Sequence, residues 1–197
     1  LDALRRFAAR HLADDLVQLL PASADARFRS NWRVHSGGRS YVLMNSPPDK
    51  EDAGPWLDVA RRLRAAGLNA PEVFAADRDA GFILMADLGT RLYLPELHEA
   101  SVDALYGDAL AALARMQVHA DTDGLPDYDH ARLLTELELM PTWFLQRHLG
   151  LTPSCDNWDV IELAFDRLLH SALAQPRRFV HRDYHSRNLM VLPGAAN

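Results

Sequence analysis

The chain has 197 residues, of which 48% are hydrophobic and 24% are charged, a composition that suits one large globular domain or two small ones and excludes a disordered or collagen-like chain. The net charge of −6 argues against nucleic acid as a partner, because proteins that bind phosphate backbones are usually basic. Every apolar run falls short of the roughly 20 residues of a membrane span, so the sequence also predicts no membrane partner.

The first half of the chain alternates between helical and β-type patterns. Apolar residues at helical spacing predict two helices, and a glycine after the second is typical of a helix end. Glycines between β-prone runs predict hairpins. The predicted elements are, in order, helix 2–13, a hairpin around Gly37-Gly38, helix 56–66 closed by Gly67, and a hairpin with strands 73–76 and 82–86.

The second half is predicted to be helical until the pattern changes near residue 179. Pro141 interrupts or kinks the second of three helical segments. Two apolar runs flanking a polar loop predict two short strands. The predicted helices cover 102–120, 129–149 and 158–173, and the predicted strands cover 179–180 and 189–192. These patterns indicate an α+β protein with a β-rich domain, residues 1–88, and a mainly helical domain, residues 89–197.

Two residue counts restrict the chemistry. Cys155 is the only cysteine, which excludes an intrachain disulfide and a cysteine-based zinc site and suits the reducing cytoplasm. Lys50 is the only lysine, so a reaction step that needs a lysine must use Lys50 or proceed without one.

The run FVHRDYHSRNLMVL, residues 179–192, carries the strongest chemical signal. Its histidine, arginine, aspartate and asparagine match the kinase catalytic-loop pattern H-R-D-L-x-x-x-N, with Tyr184 in place of the leucine. Phosphoryl transfer depends mainly on positioning and on neutralisation of charge. Asp183 is placed to accept the proton of a substrate hydroxyl, and the amide oxygen of Asn188 to hold Mg²⁺ on the phosphates.

Two other interpretations of this run stay open at this point. The first is a polar surface turn without function. The second is a metal site, because His181, Asp183 and His185 alternate along the chain, but this leaves Asn188 unexplained.

The run HRDYHSRNLM resembles the aminoglycoside phosphotransferase and choline kinase superfamily, and more narrowly the bacterial cell-wall amino-sugar kinases that act on the anomeric hydroxyl of N-acetylmuramate and N-acetylglucosamine. The resemblance extends over nearly the whole chain. The other segments that carry it are GRSYVLM with PP and ED after it, AGL with PEV, GFILM with DLG, and Glu136-Leu137 leading to Trp143.

This resemblance implies a protein-kinase-like bilobal fold, ATP or GTP and Mg²⁺ as cofactors, and the anomeric hydroxyl of an N-acetylated amino sugar as phosphate acceptor in cell-wall recycling. In the loop it implies that Asp183 is the catalytic base, Asn188 a Mg²⁺ ligand, His185 a contact to the γ-phosphate and His181 a structural brace. The implied nucleotide-binding residues are Ser23, Arg27, Arg29, Met85, Asp87 and Leu88, and the implied substrate-binding residues are Glu136 and Trp143.

The sequence departs from the family pattern in three places. The segment 23–29, where a phosphate-covering loop is expected, has no glycine. The third strand, 41–44, lacks the usual phosphate-binding lysine, and Lys50 lies beyond two prolines. Glu51 is the nearest candidate for the helix glutamate that pairs with such a lysine, although an acid at a helix start needs no further function.

The third departure is at the end of the chain, where the metal-binding aspartate expected after the catalytic loop is missing. We therefore expect that the chain is part of a longer protein and that it is not fully active as given. Two alternatives to an amino-sugar kinase remain: an aminoglycoside or aminoalcohol phosphotransferase, and a non-catalytic, pseudokinase-like module that binds nucleotide.

Overall fold

The computed structural model describes residues 1–14, 17–23 and 29–192. Within these residues five strands form one antiparallel sheet in the order β1-β2-β3-β5-β4. The strands are β1 (Leu20–Ser23), β2 (Ser30–Ser36), β3 (Arg39–Asn45), β4 (Val73–Asp77) and β5 (Phe82–Ala86). Both predicted hairpins are confirmed as β2–β3 and β4–β5. The pattern does not predict β1, which has only four residues and includes Pro21.

Glycines shape two connections of this sheet. Gly37 and Gly38 form the β2–β3 turn with φ of 56° and 73°, the left-handed conformation that tight two-residue hairpins need at both positions. The carbonyl of Gly81 accepts a hydrogen bond of 2.8 Å from the Ser46 N–H. A Cβ atom on Gly81 would lie 1.8 Å from the Ser46 carbonyl oxygen, so only glycine permits this close approach.

Helices α1 (Asp2–Leu12) and α2 (Gly54–Ala65) pack against the sheet, and both were predicted. Successive side chains of a strand point to opposite faces. Leu43 of β3 accordingly lies in a buried cluster with residues of α1. Met44 lies in a second buried cluster, which includes Ala53 and packs against apolar side chains of α2. Because full burial of such a side chain contributes about 1.5–3 kcal/mol, these two apolar layers hold the sheet in place.

The remaining helices agree with the predicted helical half. They are α3 (Tyr93–Glu96), α4 (Val102–His119), α5 (His130–Leu137), a π-helix (Met140–His148) and α6 (Cys155–Leu173). The predicted interruption at Pro141 is confirmed, because this residue lies at the start of the π-helix. Ser154 caps α6 through a reciprocal pair of contacts with Asn157. None of the described helices has the length and apolar character needed to cross a bilayer.

The two strands predicted beside the polar loop are wrong. Residues 179–180 and 189–192 contain no strand, and the described part of the loop makes one isolated β-bridge, between Leu92 and Met190. The apolar runs lack a neighbouring strand with which to form a ladder. The run 189–192 instead makes backbone hydrogen bonds to Arg91 and Tyr93, just before and at the start of α3.

The chain divides into two compact units. The first comprises Leu1–Asp121 together with His181–Asn197, and so contains the sheet and the polar loop. The second is Thr122–Val180, with α5, the π-helix and α6. The α+β class is confirmed, and the predicted domain boundary between residues 88 and 89 stays a prediction.

Candidate active site

The loop 181–192 is anchored to the segment 91–94 by backbone hydrogen bonds. Each bond joins an amide N–H to a carbonyl oxygen across the isolated bridge. They run from Tyr93 to Leu189 (2.9 Å), from Leu94 to Ser186 (3.0 Å) and from Val191 to Arg91 (2.8 Å). This short ladder fixes the backbone that carries the candidate catalytic side chains, in the role that sequence analysis assigned to two strands.

Tyr184 anchors the loop to α4. Its hydroxyl donates a 2.7 Å hydrogen bond to the carbonyl of Ala109. Burial raises the pKa of the Tyr184 phenol, with a smaller contribution from Tyr93. The motif comparison treated Tyr184 only as a replacement for leucine. The tyrosine at an apolar motif position could have indicated this anchor, since a buried phenol usually finds a hydrogen-bond partner.

His181 lies half-buried under the loop. Its ring meets the Tyr184 ring edge-on, with 5.4 Å between the centroids, and its Nδ1 atom is buried without a hydrogen-bond partner. Burial lowers the pKa of His181, the Asp183 carboxylate acts in the opposite direction, and His185 lowers it again. A neutral, packed imidazole is compatible with the bracing role predicted for it. The next residue, Arg182, has a left-handed backbone with φ of 71°.

Asp183 and Asn188 are brought together as the spacing predicted. The Asn188 side-chain amide donates to Asp183 Oδ2 at 2.7 Å and to the Asp183 carbonyl at 3.0 Å. The backbone N–H of Asn188 donates to the His185 carbonyl at 2.8 Å. Because the amide nitrogen is used within the loop, the side-chain oxygen of Asn188 is the atom left to bind a cation.

His185 contacts the same carboxylate from the other side. Its Nε2 lies 3.0 Å from Asp183 Oδ1, while its Nδ1 accepts a hydrogen bond of 3.2 Å from the Arg187 N–H. An Nδ1 atom that accepts carries no proton, so the ring hydrogen lies on Nε2, facing Asp183. Each oxygen of the Asp183 carboxylate thus has its own donor, and the side chain remains 69% exposed. An exposed, oriented carboxylate can accept a proton from a bound hydroxyl.

The metal site of His181, Asp183 and His185 does not form. Across the described part of the chain, no group of three or more His, Cys, Asp or Glu side chains is placed to hold a metal ion. The groups that the loop offers to a cation are therefore a carboxylate and an amide oxygen, and they do not form a histidine-rich site.

Asp87 directly follows β5, in the segment 85–88 that we call the hinge, and the sheet fixes its side chain. Arg33 donates to its two carboxylate oxygens at 2.5 and 3.0 Å, and the Ser40 hydroxyl and the Gly89 N–H also donate to it. Burial acts to raise the pKa of Asp87, but the hydrogen bonds from Arg33, Ser40 and Gly89 and the charge of Arg33 outweigh burial and lower the pKa to about 2. The carboxylate thus orients the hinge backbone, a role that the sequence pattern did not indicate.

Of the other predicted nucleotide-binding residues, those that the structure describes lie in or beside the sheet. Met85 is 7% exposed and packs in the core that α2 covers, and Leu88 follows Asp87 at the hinge. Ser23 is the last residue of β1, whereas Arg27 lies outside the described residues. Arg29 forms two parallel hydrogen bonds to the carboxylate of Glu51, one of them 2.7 Å long.

The predicted substrate-binding residues belong to the second unit. The Glu136 carboxylate accepts a hydrogen bond from the Tyr128 hydroxyl. Trp143 is 54% exposed, and the guanidinium of Arg147 lies 4.1 Å from its ring centroid. The roles of Glu136 and Trp143 in substrate binding stay predictions.

Residues 18–196 match the model of the phosphotransferase enzyme family. The chain is 45% identical over 175 residues to the N-acetylmuramate/N-acetylglucosamine kinase of Pseudomonas aeruginosa, covering 89% of this chain and 52% of that protein. It is 40% identical over 172 residues to the protein of the same name from Pseudomonas putida, covering 87% and 51%. The chain thus spans about half the length of these curated relatives.

The fold agrees with solved structures of the same kind. A thermostable mutant of aminoglycoside phosphotransferase APH(4)-Ia matches with a TM-score of 0.61 at 18% identity, covering 96% of this chain and 68% of that chain. At this identity the match concerns the fold alone. The predicted kinase-like fold and the resemblance drawn from the sequence are both confirmed.

Proposed function

This chain belongs to the phosphotransferase enzyme family, and on that premise we propose that it is the nucleotide-binding and catalytic-loop part of an ATP-dependent kinase whose acceptor is a hydroxyl of an N-acetylated amino sugar. The observation that carries the proposal is the closed arrangement of Asp183, His185 and Asn188 on an exposed, anchored loop. The relatives at 45% and 40% identity are named for N-acetylmuramate and N-acetylglucosamine, which favours an amino sugar over an aminoglycoside.

In the proposed reaction the acceptor oxygen forms a bond to the γ-phosphorus. The bond between that phosphorus and the β–γ bridging oxygen breaks, and the nucleoside diphosphate leaves. The acceptor's proton passes to the Asp183 carboxylate, whose oxygens are oriented by His185 and Asn188. The anomeric hydroxyl is the proposed acceptor, as the family resemblance of the sequence implies.

The residues present fit a magnesium ion. Mg²⁺ prefers oxygen ligands and commonly takes one or two from the protein, the rest coming from phosphates and water. The Asn188 side-chain oxygen is free of the contacts made by its nitrogen, and the Asp183 carboxylate lies beside it. A bound Mg²⁺ would neutralise charge on the phosphates.

The hinge is the proposed adenine site. Backbone groups of residues 85–88 would meet the base, held in position by the Arg33–Asp87 ion pair. Ser23, Arg27 and Arg29 are proposed near the phosphates, and Glu136 and Trp143 near the sugar. ATP as donor and the reducing cytoplasm as the compartment complete the proposal.

The test is an acceptor panel with the purified protein that carries this sequence. Mg-ATP is supplied with N-acetylmuramate, with N-acetylglucosamine and with an aminoglycoside, and the phosphorylated product is identified by ³¹P NMR. We expect a phosphate on the anomeric oxygen of an amino sugar. Product on the aminoglycoside alone would contradict the proposed acceptor, and nucleotide binding without any product would indicate a non-catalytic module.

A further inference from the structure

The chain's only lysine is not placed for phosphate binding within the sheet. Lys50 lies in the turn between β3 and α2, with its side chain 54% exposed and its ammonium 3.3 Å from the Asp49 carboxylate. Strand β3, Arg39–Asn45, has no lysine. Protein kinases need a lysine of this strand paired with a glutamate of the following helix, which keeps the cation at the phosphates. A phosphotransferase without this lysine needs a cation from elsewhere.

Arg29 lies beside the end of β3. It directly precedes β2, and its neighbour Ser30 pairs with Asn45, the last residue of β3. The backbone of Arg29 is therefore within one residue of the sheet register that reaches the end of that strand. The Arg29 side chain therefore projects from the start of β2, next to the last residue of β3.

The guanidinium of Arg29 is held by Glu51 in a bidentate ion pair. Nε donates to Oε2 at 2.7 Å, and Nη2 donates to Oε1. The side chains are 25% and 39% exposed, respectively, so the pair is more enclosed than the exposed Arg78–Asp52 pair beside it, at 62% and 64%. Glu51 is three residues before the start of α2, in the segment that connects β3 to that helix.

This pairing leaves the cation usable. An arginine remains charged at all physiological pH values and offers five N–H donors in a rigid plane that matches phosphate oxygens. The two hydrogen bonds to Glu51 use Nε and Nη2 and fix the plane of the guanidinium, whereas Nη1 makes neither of them. A fixed guanidinium loses little freedom when a phosphate binds.

We infer that Arg29, held by Glu51, is the cation that binds the nucleotide's phosphates in place of the lysine missing from β3, and that Glu51 is a positioning residue for it. The inference rests on the proposed kinase function. It assigns to a glutamate–arginine pair, built from the start of β2 and the segment before α2, the task that a strand lysine and a helix glutamate perform in protein kinases.

The test separates phosphate recognition from base recognition. Dissociation constants for ATP and for adenosine are measured by calorimetry on the wild-type protein and on the variants Arg29→Gln, Glu51→Gln, Arg29→Lys and the double variant Arg29→Gln/Glu51→Gln. Arg78→Gln is the matched control, since it removes an arginine from the exposed pair next to Glu51. Thermal unfolding of each variant is recorded alongside.

We expect Arg29→Gln to weaken ATP binding roughly 10- to 100-fold, the range of a lost hydrogen bond to a charged group, and to leave adenosine binding unchanged. Glu51→Gln should weaken ATP binding less and also spare adenosine. The double variant should be no worse than Arg29→Gln, because Glu51 acts only through Arg29. Arg29→Lys should lie between the wild type and Arg29→Gln, and Arg78→Gln should match the wild type.

If the ratio of the dissociation constants for ATP and adenosine in both Arg29→Gln and Glu51→Gln equals the wild-type ratio, the inference is overturned and the proposed function stands. Additive losses in the double variant would overturn the positioning role of Glu51. If Arg29→Gln does not fold, the same ratio in Glu51→Gln and Arg29→Lys decides, and wild-type ratios in both would overturn the inference. A wild-type protein that binds adenosine and ATP equally, or neither, would overturn the inference and the proposed function together.

Discussion

The Nε2 atom of His185 lies 3.0 Å from Oδ1 of Asp183, while Nδ1 of the same ring is occupied by the N–H of Arg187. The Nε2–H of the imidazole therefore faces the carboxylate as a hydrogen-bond donor. The sequence comparison placed His185 at the γ-phosphate, where protein kinases have a lysine. The geometry adds a second role, orientation of the base, and the two roles predict different kinetics.

Replacement of His185 tests this orientation. His185→Ala should lower kcat roughly tenfold, the value of about one hydrogen bond to a charged group, with little change in the KM for ATP. His185→Gln should recover most of kcat, because its amide can donate to the same oxygen. Steady-state kinetics at saturating acceptor measures both values. A loss expressed mainly in the KM for ATP, and equal in both variants, would point to phosphate contact.

The Arg33–Asp87 pair predicts an acid-sensitive part of the stability. The pKa of Asp87 is lowered from 3.8 to about 2 in the folded chain. A lowered folded-state pKa stabilises the fold above pH 3.8, and this contribution is lost as the pH falls towards 2. At about 1.4 kcal/mol per pH unit the contribution is about 2 kcal/mol.

Urea unfolding between pH 5 and pH 2.5 measures this contribution. The wild-type free energy of unfolding should fall more steeply over this range than that of Asp87→Asn, by up to about 2 kcal/mol. Arg33→Gln should lower stability at pH 7, because it leaves a carboxylate with 5% side-chain exposure without its ion pair. Parallel pH curves for the wild type and Asp87→Asn would contradict this account of the hinge.

Tyr184 predicts a stability effect confined to the loop anchor. Tyr184→Phe removes the hydrogen bond to the Ala109 carbonyl and should cost about 1–2 kcal/mol of unfolding free energy. Tyr106→Phe on α4 is the control, because Tyr106 is 41% exposed and the change should be close to neutral. Chemical denaturation of both variants, with kcat measured alongside, makes the comparison. Equal effects of the two substitutions would show that the Tyr184 bond does not anchor the loop.

The sequence predicted those elements that local pattern specifies. Helical periodicity and paired glycines locate α1, α2 and both hairpins, because hydrophobic spacing and left-handed turn positions are properties of a few neighbouring residues. The convergence of Asp183 and Asn188 was predictable for the same reason, since five residues of one loop separate them. The short strand β1 and the π-helix were not predictable, because neither has a distinctive pattern.

Long-range pairing explains the remaining differences. Arg33 and Asp87 are 54 residues apart, and Arg29 and Glu51 are 22 apart, so no local pattern joins either pair. The loop's apolar flanks suggested strands, but a strand needs a partner, and the segment 91–94 supplies only an isolated bridge. Sequence alone therefore predicted the candidate catalytic loop and named Glu51 as a candidate partner for the missing lysine, but it did not pair Glu51 with Arg29 or Asp87 with Arg33.

The most direct test of the account is the effect of Asp183→Asn on turnover. The variant keeps the size of the side chain and should lower kcat by about 10²–10⁴-fold, the usual contribution of a general base, and thermal unfolding is recorded to show that it folds. Asp127→Asn is the matched control, since Asp127 is an exposed carboxylate paired with Arg177 in the second unit, and it should keep the wild-type rate. A rate for Asp183→Asn within a few-fold of the wild type, on the acceptor that the wild type phosphorylates, would contradict the assignment of Asp183 as the base.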